Sequence, residues 1–596
     1  MRRAETVLAI LHDRGQRRLP VERVYRLLYQ PDLYLRAYAK LYKNEGAMTP
    51  GATSETVDAM SLEKIHTIIE SLRCERYRWT PVRRRYVDKQ NGKQRPLGLP
   101  SWSDKLLQEV IRSLLDAYFE PQFSEHSHGF RPKRGCHTAL QKVAQQGRGT
   151  KWFIEGDICS CFDKIDFSIL LGILGKHFHD QRFLRLMQGL LEAGYLDDWT
   201  YHQTYSGVPQ GSIIGPILSN LVLDKLDSFV VQELIPAYSC GKQRQRYAPY
   251  STLLHKAHQA RSAGDVATAK QLRQQAQRLP SLDPNDPDFR RLWYQRYADD
   301  FLLGFKGPKA EALEVKQQIA RFLHDELKLE LSEDKTLLTH ARSQKANFLG
   351  YEVHVLHADN KHDRQGKRCI NGRVGFQVPA RVKKAYAAKY LRRAKPSHLA
   401  ERVNNDAYSI ISQYQAEYRG LVQYYRMAYN LHTFNHLKHI MEVSLVKTLA
   451  KKYKTSCSKI YRRYQATLET KEGPYKVLQV KQHRADKPPL YAHFGAVPLT
   501  WNKWVQLNDS KDNRIWNTRS EVVERLLAQT CELCGSAQSI EVHHVRKLSD
   551  LKPKGRKPRP EWMQIMAARR RKTLVVCQAC HNKIHAGRYH GKALSR

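Results

Sequence analysis

Arg296-Tyr297-Ala298-Asp299-Asp300-Phe301-Leu302-Leu303-Gly304 is the stretch whose reading decides the fold. Two adjacent carboxylates lie between apolar, β-prone residues, Tyr297 before them and Phe301 to Leu303 after. That pattern predicts strand, tight turn, strand, with Asp299 and Asp300 at or next to the turn. Acids at the tip of a strand fix negative charge at a rigid point, which suits divalent cations that take oxygen ligands. Alone, the pair also reads as an ordinary turn, because Asp favours turns.

Working outward, Trp152-Phe153-Ile154-Glu155-Gly156-Asp157 is a second short β-prone run ending in an acid. Between the two, Gly207-Val208-Pro209-Gln210-Gly211-Ser212 predicts a turn leading into an apolar helix from Ile217 to about Leu226. Upstream, Gln90-Asn91-Gly92-Lys93 sits between basic, β-prone segments. Asn-Gly is a hairpin signal, and a hairpin carrying Lys89, Lys93 and Arg95 suits phosphate oxygens, although a basic hairpin also serves as plain solvated surface. Downstream, Pro308 to Leu327 predicts an amphipathic helix, Leu329 to Ser332 a short strand, Lys335-Thr336 follows, and Phe348-Leu349-Gly350-Tyr351 starts another strand.

The chain has 596 residues, room for roughly three or four domains. Its 100 Lys+Arg against 58 Asp+Glu give a net charge of +42, spread along the whole length. A folded protein this basic implies a polyanionic partner, nucleic acid, and its 31 Tyr and 9 Trp suit base stacking as well as core packing. Of 11 Cys, seven are scattered and four form two C-x-x-C pairs, which is thiol and metal usage in a reducing compartment. No apolar run is long enough to cross a bilayer, and the N-terminus lacks a secretory core. Glu5 and Asp13 weigh against organelle transit, so a bacterial cytoplasm, with nucleoid association on target DNA, is expected over an organelle.

The remaining segments fall in order. Residues 1–80 read as helical, with Val21, Val24, Tyr25 and Leu28 on one face and another helix near Leu62 to Leu72. Residues 232–290 read as an inserted polar helical hairpin broken at Gly264-Asp265. Residues 380–465 are helical and basic, with Tyr414, Tyr418, Tyr424, Tyr425 and Tyr429 among them, and residues 470–525 read as irregular and Pro-, Lys- and Trp-rich. At the C-terminus, Cys531-Glu532-Leu533-Cys534 and Cys577-Gln578-Ala579-Cys580 are two knuckles that together make a closed tetrahedral Zn²⁺ site. Between them lies His543-His544, and after them His581 and His585, spaced i, i+4 on one helical face, a geometry fit for one metal.

The order of basic hairpin, acid-tipped strand, G-V-P-Q-G-S, Y-A-D-D, Lys-Thr and F-L-G-Y resembles the successive blocks of a reverse transcriptase. The whole chain resembles a group II intron-encoded protein, with reverse transcriptase, maturase and HNH endonuclease in one polypeptide. The resemblance implies a multidomain α+β fold: polymerase fingers and palm with an antiparallel palm sheet, an α-helical thumb or maturase domain, and a ββα-metal module with zinc knuckles. The expected divisions are an RNA-binding extension at 1–80, fingers and palm at 81–375, thumb at 376–475, a DNA-binding region at 476–528 and the endonuclease at 529–596.

The resemblance also implies roles. Asp157, Asp299 and the Ile158 carbonyl would hold two Mg²⁺, with Asp300 adding charge. Lys89 and Arg95 would contact the triphosphate, Phe162 would reject a ribose 2′-OH, Gln210 would lie near the incoming nucleotide, and Lys335 would donate a proton to pyrophosphate; the lesser reading of Phe162 is simple core packing. In the endonuclease His544 would be the general base, with His543, His581 and His585 holding a divalent cation. The pattern departs where an Asn is usual, since Thr573 stands there, and Asn582 is not that residue. The implied partners are intron RNA, target DNA and dNTPs in a ribonucleoprotein, and no membrane. The expected activity is RNA-directed DNA polymerisation with splicing assistance and DNA cutting, supporting intron mobility by target-primed reverse transcription. The alternatives are a splicing factor with relict enzyme domains and a reverse transcriptase recruited to a host task.

Overall fold

Four antiparallel strands form the sheet on which the acids sit, in the order Leu292–Tyr297, Asp300–Phe305, Trp152–Asp157, Leu338–His340. The computed structural model describes residues 3–88, 92, 94–208, 211–364, 368–470, 472–484, 487–505, 521–551, 560–569 and 571–589. Three of these strands are buried along nearly their whole length, so they lack a strict apolar–polar alternation, and Glu155, Gln295 and Arg296 are buried among their apolar residues. Gly156 lies opposite Phe301, and a Cβ there would stand 2.0 Å from that ring; the glycine lets the two acid-bearing strands close over the phenyl group.

The helix Lys309–Leu327 covers this sheet from one side with Ala312, Val315, Ile319, Leu323 and Leu327, as its periodicity predicts. The helices Trp102–Phe119 and Gly215–Phe229 complete the core. The segment Leu329 to Ser332, expected as a strand, makes only one bridge, Leu331 with Ile158. Asp157 O accepts from Ser332 N at 2.8 Å and Glu330 O from Cys159 N at 2.8 Å, so the segment is spent tying down the end of the Asp157 strand. Val21 bridges Phe178, and Tyr25–Tyr29 is a short 3₁₀ turn instead of the expected longer helix, although Val21, Val24, Tyr25 and Leu28 are all buried.

The basic hairpin is Val82–Asp88 with Gln94–Leu99, and Val82–Asp88 also pairs in parallel with Tyr195–Asp197. The inserted hairpin consists of Ala248–Ser262 and Val266–Arg278, which bury only Ala257, Ala269 and Ala276. A second apolar core holds the helices Ala407–Tyr424 and Phe434–Tyr453. It settles the tyrosines: Tyr414, Tyr418 and Tyr425 are buried, Tyr424 and Tyr429 half-buried.

The stretch 470–525, expected to be irregular, is so only in part: 495–505 carries neither helix nor strand, 506–520 lies outside the described residues, and what precedes them is a regular sheet. Gln465–Thr470, Gly473–Arg484 and Lys487–Phe494 form a three-stranded antiparallel meander packed on the helix Ala407–Tyr424. Val477, Leu478, Ala492 and Phe494 are buried there. Its solvent face is rich in Lys and Gln, which hides the period-two pattern from a reading of composition. Glu521–Leu527 is a helix that packs against the C-terminal sheet. That sheet pairs Ile540–His544 with Thr573–Cys577 and is followed by the helix Gln578–His585. Among the described residues no helix is long and apolar enough to cross a membrane.

Candidate active sites

The strands Leu292–Tyr297 and Asp300–Phe305 are joined by Ala298-Asp299 alone, with Ala298 at φ +55°. A two-residue connection of this kind requires a positive φ. Asp300 pairs across with Tyr297 on one side and with Asp157 on the other, and Asp299 sits in the turn beside them. Directly paired residues hold their Cβ atoms about 5 Å apart, so Asp157 and Asp300 face one another at the sheet end. Burial, then the charges of Asp299 and Asp157, push the Asp300 carboxyl up to about 7. Burial also raises Asp299, with Asp157 adding to it and Lys335 and Arg95 opposing. Crowded carboxylates of this kind fit hard divalent cations, which take oxygen ligands and relieve the repulsion.

Lys335 Nζ lies 2.6 Å from Asp157 Oδ2, and that hydrogen bond raises its ammonium. Ile158 is buried beside the acids. Arg95 is exposed on its strand, opposite Val87. Phe162 is half-buried in the short helix Cys161–Lys164, and its carbonyl accepts from Val208 N at 2.7 Å. Gly207, at φ +87°, comes so close to Asp163 that a Cβ would stand 2.5 Å from the Asp163 carbonyl oxygen. The start of the G-V-P-Q-G-S turn is thereby seated on the Phe162 helix. Lys89 and Gln210 lie outside the described residues.

One residue of the opening stretch proves more important than its sequence suggested. Arg296 is fully buried and forms an ion pair with Asp227, also fully buried, at 2.5 Å from Nη2 and 2.7 Å from Nε. Tyr294 donates to the same carboxylate at 2.8 Å. The guanidinium also donates to Asn220 Oδ1, Ser127 Oγ and, at 2.8 Å, to the carbonyl of Ala298 in the acid-bearing turn. An Arg within Leu-Trp-Tyr-Gln-Arg-Tyr was the available signal, since a charge in a buried strand needs a partner.

In the C-terminal module Cys531, Cys534, Cys577 and Cys580 bring their sulfurs within 4.8 Å of one another. Cys534 Sγ and Cys577 Sγ are 3.6 Å apart, against about 3.8 Å for the edge of a tetrahedron with 2.3 Å Zn–S bonds. Cys534 N also donates to Cys531 Sγ at 3.4 Å. Four free thiols in this arrangement fit Zn²⁺.

His543, His581 and His585 are brought together as expected, with a fourth group, Asp58. Burial lowers the His543 imidazole to about 4. Burial also works against the charge on His581, but hydrogen bonds to Asp58 and Glu541 raise that imidazole to about 9. His544 is not in this cluster. Neighbours on a strand point to opposite faces, so when His543 faces His581, His544 turns away. Its Nε2 meets Tyr38 Oη at 3.1 Å and its Nδ1 donates to Val542 O at 3.0 Å. Burial lowers His544 to about 4. Thr573 pairs directly with His544, and its hydroxyl accepts from Arg525 Nη2 at 2.7 Å. Asn582 is exposed on the last helix.

Residues 87–257 match the family described as reverse transcriptase (RNA-dependent DNA polymerase), 373–488 the type II intron maturase family and 531–581 the AI2M/AI1M-like HNH endonuclease family. The chain is 37% identical over 582 residues to the group II intron-encoded protein LtrA of Lactococcus lactis subsp. cremoris, spanning 94% of this chain and 95% of that one. It is 31% identical to an uncharacterised 91 kDa protein in the cob intron of Schizosaccharomyces pombe, over 98% of this chain and 73% of that one. A telomerase structure from Candida albicans, in complex with a telomeric RNA fragment, aligns at TM-score 0.31 and 12% identity, over 64% of this chain and 62% of that one. That likeness is too loose to bear on function.

Proposed function

The chain belongs to the group II intron-encoded proteins, an RNA-directed DNA polymerase with maturase and HNH endonuclease domains, and on that premise we propose how its residues divide the work. Asp157, Asp299 and the Ile158 carbonyl hold two Mg²⁺, with Asp300 supplying charge beside them. Bound there, the ions supply Lewis acidity for the primer 3′-OH and for the triphosphate. The observation that carries this reading is the pairing of Asp157 with Asp300, with Asp299 in the adjoining turn.

The chain's own groups position the rest. Arg95 and Lys89 take the triphosphate, as a fixed donor fork and a point charge respectively. Gln210 lies near the incoming nucleotide. The primer 3′-OH gives up its proton to solvent water as its oxygen bonds to the α-phosphorus, and the pyrophosphate leaves with the electron pair of the broken P–O bond. Lys335, whose ammonium reaches the sheet end at Asp157, holds a proton for that leaving group. Phe162 stands under the sugar. Phe162→Ala is expected to raise ribonucleotide incorporation relative to deoxyribonucleotide by on the order of 10- to 100-fold in primer extension. An unchanged ratio would leave Phe162 as packing for the Val208 turn.

The four cysteines hold structural Zn²⁺, and His543, His581 and His585 hold a divalent cation for DNA cleavage. His544 serves as base once Tyr38 leaves its Nε2. The thumb covers 376–475 and extends through the meander to Phe494. With the polymerase body at 81–375 it grips structured intron RNA by shape and phosphate contacts. The protein works as a ribonucleoprotein on dNTPs and target DNA in a bacterial cytoplasm, copying its intron from a nicked target. The test uses purified protein with its flanking intron RNA, measuring splicing and primer extension together. Both activities are expected, and splicing without extension would instead mark the polymerase as a relic.

A further inference from the structure

The endonuclease module is joined to the polymerase body. Val542 N donates to Met60 O at 2.9 Å and Ala59 N to Val542 O at 3.1 Å, so the strand Ile540–His544 gains an antiparallel bridge from the N-terminal region. Val522, Leu526 and Val542 lie in the same apolar core as Met60 and Trp102. This docking carries Asp58 to the imidazoles. Asp58 Oδ1 is 3.3 Å from His581 Nε2 and 3.5 Å from His543 Nδ1, and it accepts from His544 N at 2.7 Å. Oδ2 is 2.8 Å from His585 Nε2, and the two Nε2 atoms of His581 and His585 are 3.1 Å apart.

Two features point to a cation among these atoms. His581 Nδ1 lies 2.6 Å from Glu541 Oε2, the carboxylate partner that metal-ligating histidines regularly give their other ring N–H, which turns the Nε2 lone pair toward Asp58 and His585. His543 is 96% buried, and neither of its ring nitrogens has a hydrogen-bond partner, a costly state for a buried polar group without a further ligand. A tetrahedral shell with 2.0–2.1 Å bonds has edges of about 3.3 Å; the separations from Asp58 Oδ1 to His543 and His581, from Oδ2 to His585, and between His581 and His585, 2.8 to 3.5 Å, bracket that value, and one ligand atom from each of the four residues lies within 4.8 Å of the rest.

We propose that Asp58 is a ligand of the endonuclease metal, so that one divalent cation bonds the endonuclease module to the N-terminal region of the polymerase. This rests on reading His543, His581 and His585 as metal ligands. Three imidazoles and one carboxylate favour Zn²⁺, Co²⁺ or Mn²⁺ over Mg²⁺. Because one carboxylate serves both docking and metal, each strengthens the other by the same factor.

The test titrates Co²⁺ into the full chain with its cysteine site already loaded with Zn²⁺, following heat and visible ligand-field absorption. Asp58→Ala and Asp58→Asn are expected to weaken the Co²⁺ site by about 10- to 100-fold and to change its absorption bands. Asp58→Glu recovers part of the affinity, and primer extension by all three variants stays at the wild-type level. His581→Ala is the control. If it weakens binding while the Asp58 variants bind as wild type, Asp58 is no ligand and the imidazole site stands. If His581→Ala also binds as wild type, the imidazole site itself is refuted.

Discussion

Asp299→Ala is expected to cut primer extension on a primed RNA template by on the order of 100- to 1,000-fold or more, with RNA affinity unchanged. Asp299 lies in a two-residue turn between strands whose register is set elsewhere, by Gly156 against Phe301 and by Asp300 opposite Asp157. Its carboxyl is raised first by burial and then by Asp157, so the fold gains little from its charge. Removing it relieves repulsion at the sheet tip, and stability should hold or rise slightly. The damage falls on the reaction, where charge develops on the transferring phosphoryl group and fixed counter-charge matters most. A chain that folds, binds RNA and polymerises at the wild-type rate would sink the assignment. Asp300→Ala serves as the comparison: the supporting role predicts a smaller loss.

Which parts of this were legible in the sequence follows from how local their causes are. The acid-bearing hairpin was readable because strand propensity and a turn acid lie within nine residues. The two C-x-x-C knuckles were readable because metal geometry is written in their spacing. The meander over 465–494 was missed because its apolar residues alternate with Lys and Gln on an exposed face. The orientation of His544 was missed because the resemblance gave a role without a strand register. Asp58 had no signal of its own: it lies in a polar loop 527 positions from His585, and only the docking of two domains puts it among the imidazoles. A metal shell assembled across domains leaves no spacing to read.

Arg296 belongs between these cases, visible in the opening stretch but without an assigned role, and its replacement should separate folding from activity. Arg296→Met leaves Asp227 buried without its partner, which costs about 3–5 kcal/mol, read as a lower denaturation midpoint for the polymerase body. Arg296→Met with Asp227→Leu removes both charges. Apolar replacement of a whole buried pair is often near neutral, so much of the stability returns. Tyr294 loses its acceptor in that double variant, which limits the recovery by about 1–3 kcal/mol. Polymerisation should not recover with stability. The Ala298 carbonyl has still lost the donor that holds the turn, and Asp299 follows Ala298 directly. Loss of about one ångström of placement at a reacting centre costs on the order of 100-fold in rate. The double variant is therefore expected to melt closer to wild type than the single one, yet extend primers about as poorly. If activity returned together with stability, Arg296 would be a structural ion pair alone. If Arg296→Met melted within about 1 kcal/mol of wild type, it would contradict a buried pair.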